Sequence, residues 1–266
     1  MRITTTRLAL WLAGASATAV LVAAAPAGAV TSNGVPDAGA HPYVGAMLAG
    51  ADDPYTRCSG TLLSSTVFLT AAHCTDDLLA EGRTRAYVTF DEHYVRGGST
   101  LHAGTMHEDP AYAVGNGHDA HDIAVIVLDS PVTMTRYGHL PAAGALDALA
   151  AKGGLTTARF DVVGYGTEEA QRGPGGHTFP GGDSRMRASA EFDSLNPYWV
   201  RLSQNQHAGD GGGCYGDSGG PDFLDGTDLV AGTTITGDGP CYATNVIYRL
   251  DTDSARAFLG AFVPLP

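Results

Sequence analysis

An all-β fold is predicted by three features of this chain. Short apolar runs recur along most of its length, glycine-rich turns separate them, and only the last stretch carries a helical repeat. Glycine fills 36 of 266 positions and charged residues only 16%, against roughly 25% in average domains. That balance suits many short strands joined by tight turns.

Taken in order, the β-like runs are residues 43–48, 61–63, 67–69, 85–90, 123–128, 160–163, 229–236 and 246–250. Gly97-Gly98, Gly153-Gly154, Gly181-Gly182 and Gly237-Asp238-Gly239 punctuate them. Residues 168–183 are rich in Gly and Pro with few apolar side chains and read as an exposed loop. The Ala-rich stretch 141–152 reads as a link between two halves. Helical spacing is expected only at the tail, where Ala255, Phe258, Leu259 and Phe262 recur at i, i+3, i+4 and i+7. Asp253 or Ser254 would cap that helix and Pro264 would end it.

The first 29 residues are expected to be a leader rather than part of the fold. Arg2 and Arg7 give a basic start, residues 8–22 are apolar or small, and Ala27-Gly28-Ala29 has the small-x-small form of a signal-peptidase site. About fifteen apolar residues fall short of the ~20 that span a bilayer. Removing this leader takes away two arginines and no acid, so the net charge moves from −13 to −15. An acidic chain without a basic run argues against nucleic acid or an anionic membrane as partner. Four cysteines in a secreted chain suggest two disulfides among three connectivities. Cys58 with Cys74 would close a short loop, and Cys214 with Cys241 would tie two later segments. No close pair of cysteines seeds a zinc site.

Three segments carry chemistry. Gly216-Asp217-Ser218-Gly219-Gly220-Pro221 sets a serine among glycines, where backbone amides can approach a substrate. Thr70-Ala71-Ala72-His73-Cys74 offers an imidazole able to shuttle a proton, and Asp122 opens the apolar run 123–128. Asp122 lies in His118-Asp119-Ala120-His121-Asp122, which also reads as a polar loop or a metal-binding cluster. Asp122 is preferred to Asp119 because the run that would bury it follows at once. The G-x-S-x-G pattern also fits the elbow of α/β-hydrolases, but that fold needs a histidine after its serine. None follows Ser218.

Together these segments resemble the chymotrypsin-like (trypsin-like) family of secreted serine peptidases, and its bacterial-type members in particular. Cys58-Ser59-Gly60-Thr61-Leu62, the histidine segment with Cys74, Asp122-Ile123-Ala124-Val125, the run from Cys214 to Pro221 and the run 229–236 stand in the family's order. The resemblance implies two antiparallel six-stranded β-barrels with a short C-terminal helix, over residues 30–145, 146–252 and 253–266. It implies Ser218 as nucleophile, His73 as general base, Asp122 as the acid that orients it, and the amides of Gly216 and Ser218 as oxyanion hole. Gly212, Gly213, Tyr215, Thr234, Ile235, Thr236 and Asn245 would surround the substrate side chain. The position that carries a pocket carboxylate in trypsin-like members is Gly212, and Asp210 falls two residues early. A neutral side chain is therefore expected before the scissile bond. Thr236 stands where many members carry a wall glycine, Asn245 falls near another, and both would narrow the pocket.

In the family an exposed N-terminus pairs with the acid before the serine. Counting back from Pro42-Tyr43 puts that terminus at Val30, opposite Asp217, at the same bond the leader peptidase would cut. The resemblance further implies a monomeric extracellular enzyme without cofactor or metal, with polypeptide substrates and protein inhibitors as partners. A catalytically silent homologue that binds outside the cell is the other reading of the same motifs.

Overall fold

A two-residue strand, β1 (Val35–Pro36), leads into six strands that close on themselves: β2 (Val44–Leu48), β3 (Cys58–Leu62), β4 (Val67–Thr70), β5 (Arg85–Thr89), β6 (His102–Glu108) and β7 (Ala124–Leu128). They join in the order β2-β3-β4-β7-β6-β5, each pair antiparallel. Tyr43, Met47, Leu62, Phe68, Leu69, Val88 and Ile126 fill this barrel and are wholly buried. The computed structural model describes residues 30–112, 119–168 and 170–266. The expected leader and His118 lie outside the described residues. Among those described, no helix is long and apolar enough to cross a membrane.

A short helix, α1 (Asp76–Ala80), follows β4, and α2 (Ala145–Ala151) precedes the second barrel. That barrel uses β8 (Arg159–Gly164), β11 (Met186–Leu195), β12 (Trp199–Ser203), β13 (Pro221–Leu224), β14 (Val230–Gly237) and β15 (Thr244–Arg249), with β9 (Gln171–Gly173) and β10 (Gly176–Thr178) as a separate hairpin. Its strands run β11-β12-β15-β14-β13-β8, and β8 returns to β11. β1 adds to β11, so the segment before the first barrel is sewn to the second. Phe160, Val162, Ala190, Val200, Leu202, Ala231 and Ile247 make its core.

Several local expectations need correction. The stretch read as a link contains α2, whose Leu146 and Leu149 pack into the second core. Residues 168–183, read as loop, hold the β9–β10 hairpin, whose six strand positions are all exposed; an exposed ribbon shows no apolar alternation for a reader to find. The tail helix, α3 (Asp253–Leu259), is capped by Thr252, whose hydroxyl takes the Ala255 N–H at 3.3 Å, not by Asp253 or Ser254. Helix α3 ends before Pro264. Ala255, Leu259 and Val263 enter the first core cluster and Phe262 meets His107 of β6, so the chain's last turn docks on its first barrel.

Candidate active site

His73 is held by short-range chemistry. β4 stops at Thr70, and the small buried side chains of Ala71 and Ala72 let the chain turn at once into a single 3-10 turn, Ala72–Cys74. Cys74 is bonded to Cys58 at the start of β3. Asp122, 7% exposed, lies just before β7. Its Oδ1 accepts the His73 backbone N–H at 2.9 Å and its Oδ2 faces the ring Nδ1 at 2.8 Å. One carboxylate thus fixes both the backbone and the ring, and in the neutral ring an Nδ1–H donated this way makes Nε2 the acceptor.

Asp119 has other work. It accepts from the Tyr248 hydroxyl at 2.8 Å and from the Ser254 hydroxyl at 2.6 Å. His121 Nδ1 sits 3.1 Å from Asp109. Among the described residues, the cluster geometrically able to hold a metal is Cys58, His73 and Cys74. The disulfide between the two cysteines removes both thiolates that a metal would require.

Ser218 reaches the same cleft from the second barrel, and His73 and Ser218 line it together. No hydrogen bond joins the Ser218 hydroxyl to His73 among the described residues; such contacts often tighten only when substrate binds. Gly216 holds φ at +98°, a setting that favours glycine. No described residue accepts from the N–H of Gly216 or of Ser218, so two amides a residue apart are left for a ligand.

A residue that sequence reasoning passed over sets this loop. Ser59 of β3 donates its N–H to the Ser218 carbonyl at 2.9 Å and its hydroxyl to the Gly216 carbonyl at 2.9 Å. The same hydroxyl accepts the Tyr165 N–H at 2.8 Å. Its place between Cys58 and Gly60 in the quoted motif was the available signal. Ser59→Ala strands two backbone groups, each costing about 1–3 kcal/mol. Urea unfolding should therefore register a loss of at least about 2 kcal/mol, and an unchanged midpoint would contradict the role.

Asp217 is fully buried and takes the N–H of Cys214 and of Gly166, both at 2.8 Å. Burial pushes its carboxyl up to about 7, and the two amides offset only part of that cost. Val30 is also buried, at 2% exposure, against Met186 and Ala188. Next to it, Thr31 exchanges backbone hydrogen bonds with Gly212 at 2.9 and 3.2 Å. Among the described residues no ion pair reaches Asp217.

A cavity of about 290 Å³ opens beside His73 and Ser218, with Gly213, Tyr215, Thr234, Ile235, Thr236 and Asn245 in its wall. Gly212 is not in that wall; it is paired to Thr31. Asp210 faces elsewhere, 1% exposed and bound by Arg159 at 2.8 Å and Ser203 at 2.7 Å. Asp238 also lines the cavity. Burial works against its charge, but the N–H groups of Tyr242, Thr244 and Ala243 hold its carboxyl below the usual range. The Cys214–Cys241 disulfide closes one side.

Two closed antiparallel barrels, with an imidazole and a serine presented across the cleft between them, define a chymotrypsin-like serine peptidase architecture. The Trypsin family model matches residues 32–256, and the chain belongs to that family. Its fold is similar to the solved structure of neuropsin, described as a serine protease expressed in the limbic system of mouse brain, with a TM-score of 0.58. The two chains are 20% identical over 82% of this one and 92% of that one, a likeness of fold alone. These matches lend no support to the bacterial-type origin expected from sequence. No curated protein matches the chain.

Proposed function

We propose that the chain is a secreted serine endopeptidase that hydrolyses polypeptides through an acyl-enzyme. The observation that carries the reading is the double contact from Asp122 to His73, opposite Ser218 and two unpartnered amides. His73 Nε2 takes the Ser218 proton as Oγ attacks the peptide carbonyl, then delivers it to the departing amine. Water enters by the same route and releases the acid. The N–H groups of Gly216 and Ser218 hold the oxyanion; one such donor is typically worth about 10²–10³ in turnover. Asp122 stabilises the imidazolium and fixes its tautomer. The reaction needs no cofactor. The enzyme acts as a monomer outside the cell, and protein inhibitors would enter the cleft as substrates do.

The pocket is read as taking a neutral side chain. A buried Lys or Arg would lack a dedicated anion, since Asp210 is bound to Arg159 and the Asp238 carboxylate already accepts three backbone N–H groups. A peptide-library profile of the purified mature protein, beside Ser218→Ala, tests the whole reading. Cleavage after neutral residues, absent in the variant, is expected. Dominant cleavage after Arg or Lys would overturn the preference, and no cleavage at all would favour the silent homologue.

Secretion is read as the activating step. In the full chain Val30 holds φ at +73°, a costly setting for a β-branched residue. Cutting before Val30 abolishes that constraint and leaves an ammonium to pair with Asp217. Without the pair, Asp217 keeps its proton to about pH 7, while the unfolded chain gives it up near 4. The native state then holds the extra proton between those values, so stability falls as pH rises from about 4 to 7. Mature protein should lose this slope because pairing lowers the Asp217 pKa. Urea titrations at several pH values, on unprocessed and mature Ser218→Ala protein, check this; identical slopes would contradict it.

A further inference from the structure

Beneath the pocket three side chains close a polar ring. Asp222 of β13 is wholly buried. Its Oδ2 accepts from the Thr234 hydroxyl at 2.9 Å and its Oδ1 from Asn245 Nδ2 at 3.0 Å. Asn245 Nδ2 also lies 3.4 Å from the Thr234 hydroxyl oxygen. Both hydrogens of the Asn245 amide are therefore directed down and sideways, toward Asp222 and Thr234. Its carbonyl is turned the other way. A Cβ built on Gly213, which lines the cavity, would lie 3.3 Å from Asn245 Oδ1. Asn245 is 1% exposed, and no described residue donates to that oxygen.

We infer that the pocket floor is a single hydrogen-bond acceptor, Asn245 Oδ1, aimed by Asp222, and that it selects an uncharged substrate side chain ending in an N–H donor, glutamine foremost. This rests on the serine-endopeptidase reading and sharpens its neutral preference. A buried acceptor left unmade is costly, so a site built to bond a donor discriminates against the analogue without one. Leucine and methionine fill the space but leave the oxygen bare. Glutamate sets a like partial charge against it. Lysine brings a donor and a charge, and the wall carboxylate that could face it, Asp238, is already engaged by three backbone N–H groups.

Burial also raises the Asp222 carboxyl above its ordinary range, with the Thr234 and Asn245 bonds opposing and the nearby Asp217 charge adding. A proton on Oδ2, toward the Thr234 oxygen, would leave Oδ1 accepting. The amide orientation is the same in either state.

Matched peptides differing only at the residue before the scissile bond test the inference on the mature wild-type enzyme. Gln should exceed Met, its near-isostere, by about tenfold or more in kcat/KM, with Glu below both. Within Asn245→Ala the Gln-to-Met ratio should fall to about one. Asp222→Ala removes the acceptor that aims the Asn245 amide, so the ratio should fall there too, a change that lost folding alone would not produce. Met equal to or above Gln in the wild type overturns the inference, as does Glu above Gln, the sign of a reversed amide. Lys or Arg above Gln also overturns it. An organophosphonate probe run in parallel separates the two readings. Labelling of Ser218 without the Gln preference defeats this inference alone, whereas no labelling and no cleavage defeats both.

Discussion

Exchanging Asp122 for Asn should cut turnover by about 10⁴-fold while leaving the fold intact. The magnitude is carried over from the chymotrypsin triad, which belongs to this family. The reason is local. Asp122 accepts twice from His73, at the backbone N–H and at Nδ1. An asparagine has one accepting oxygen in place of two, and its NH₂ opposite the ring favours the tautomer with hydrogen on Nε2, which cannot take the serine proton. His73→Ala should cost as much or more, and the double variant little beyond the worse single change, because the groups act as a unit. Steady-state kinetics with circular dichroism check this. Asp122→Asn activity within tenfold of the parent would contradict it.

The largest expected loss of stability follows Arg185→Met. Arg185 is 3% exposed, and its guanidinium bonds Asp37 at 2.9 Å, the Val44 and Phe90 carbonyls at 3.1 and 3.0 Å, and the Tyr165 hydroxyl at 3.0 Å. Those partners belong to the entry segment, the first barrel and the end of β8, so one side chain staples three parts of the molecule. Removing it takes the guanidinium from buried Asp37, which keeps only its His41 contacts, and breaking a buried pair this way costs roughly 3–5 kcal/mol. Urea unfolding in a Ser218→Ala background, which prevents self-cleavage, measures the loss. Adding Asp37→Asn should return part of it, since the uncompensated charge is then gone. A loss under about 1 kcal/mol would show the staple to be dispensable. For Asp37, burial acts to raise the carboxyl, but the His41 and Arg185 bonds outweigh it and hold the value at about 2. That stabilisation is present above pH 4 and fades as pH falls toward 2.

What the sequence makes legible follows from how local the signal is. His73, Asp122 and Ser218 each sit in short motifs whose neighbours do the positioning, such as Ala71-Ala72 before the histidine turn. Strands with bulky apolar runs, such as β4 and β7, are plain to read. β6, β11, β12 and β13 are not. Inward positions of β11 include Ala188 and Ala190, β6 has Gly104 paired to Leu128, and β13 buries Asp222, so alternation is blunted where barrel geometry demands small or polar residues. Helix α2 hides in an alanine-rich stretch that composition alone reads as a link. The polar ring under the pocket is invisible for another reason. Asp222, Thr234 and Asn245 are far apart in sequence, and each alone reads as an ordinary strand or turn residue. Arg185 likewise reads as a surface charge until two barrels close around it.

The most direct test is to treat mature protein with a fluorophosphonate and locate the adduct by peptide mass spectrometry. One adduct on Ser218, formed in the native protein and lost in urea and in His73→Ala, is the expected result. A native protein that stays unmodified, or that is modified only elsewhere, would contradict the assignment of Ser218 as a nucleophile activated by His73.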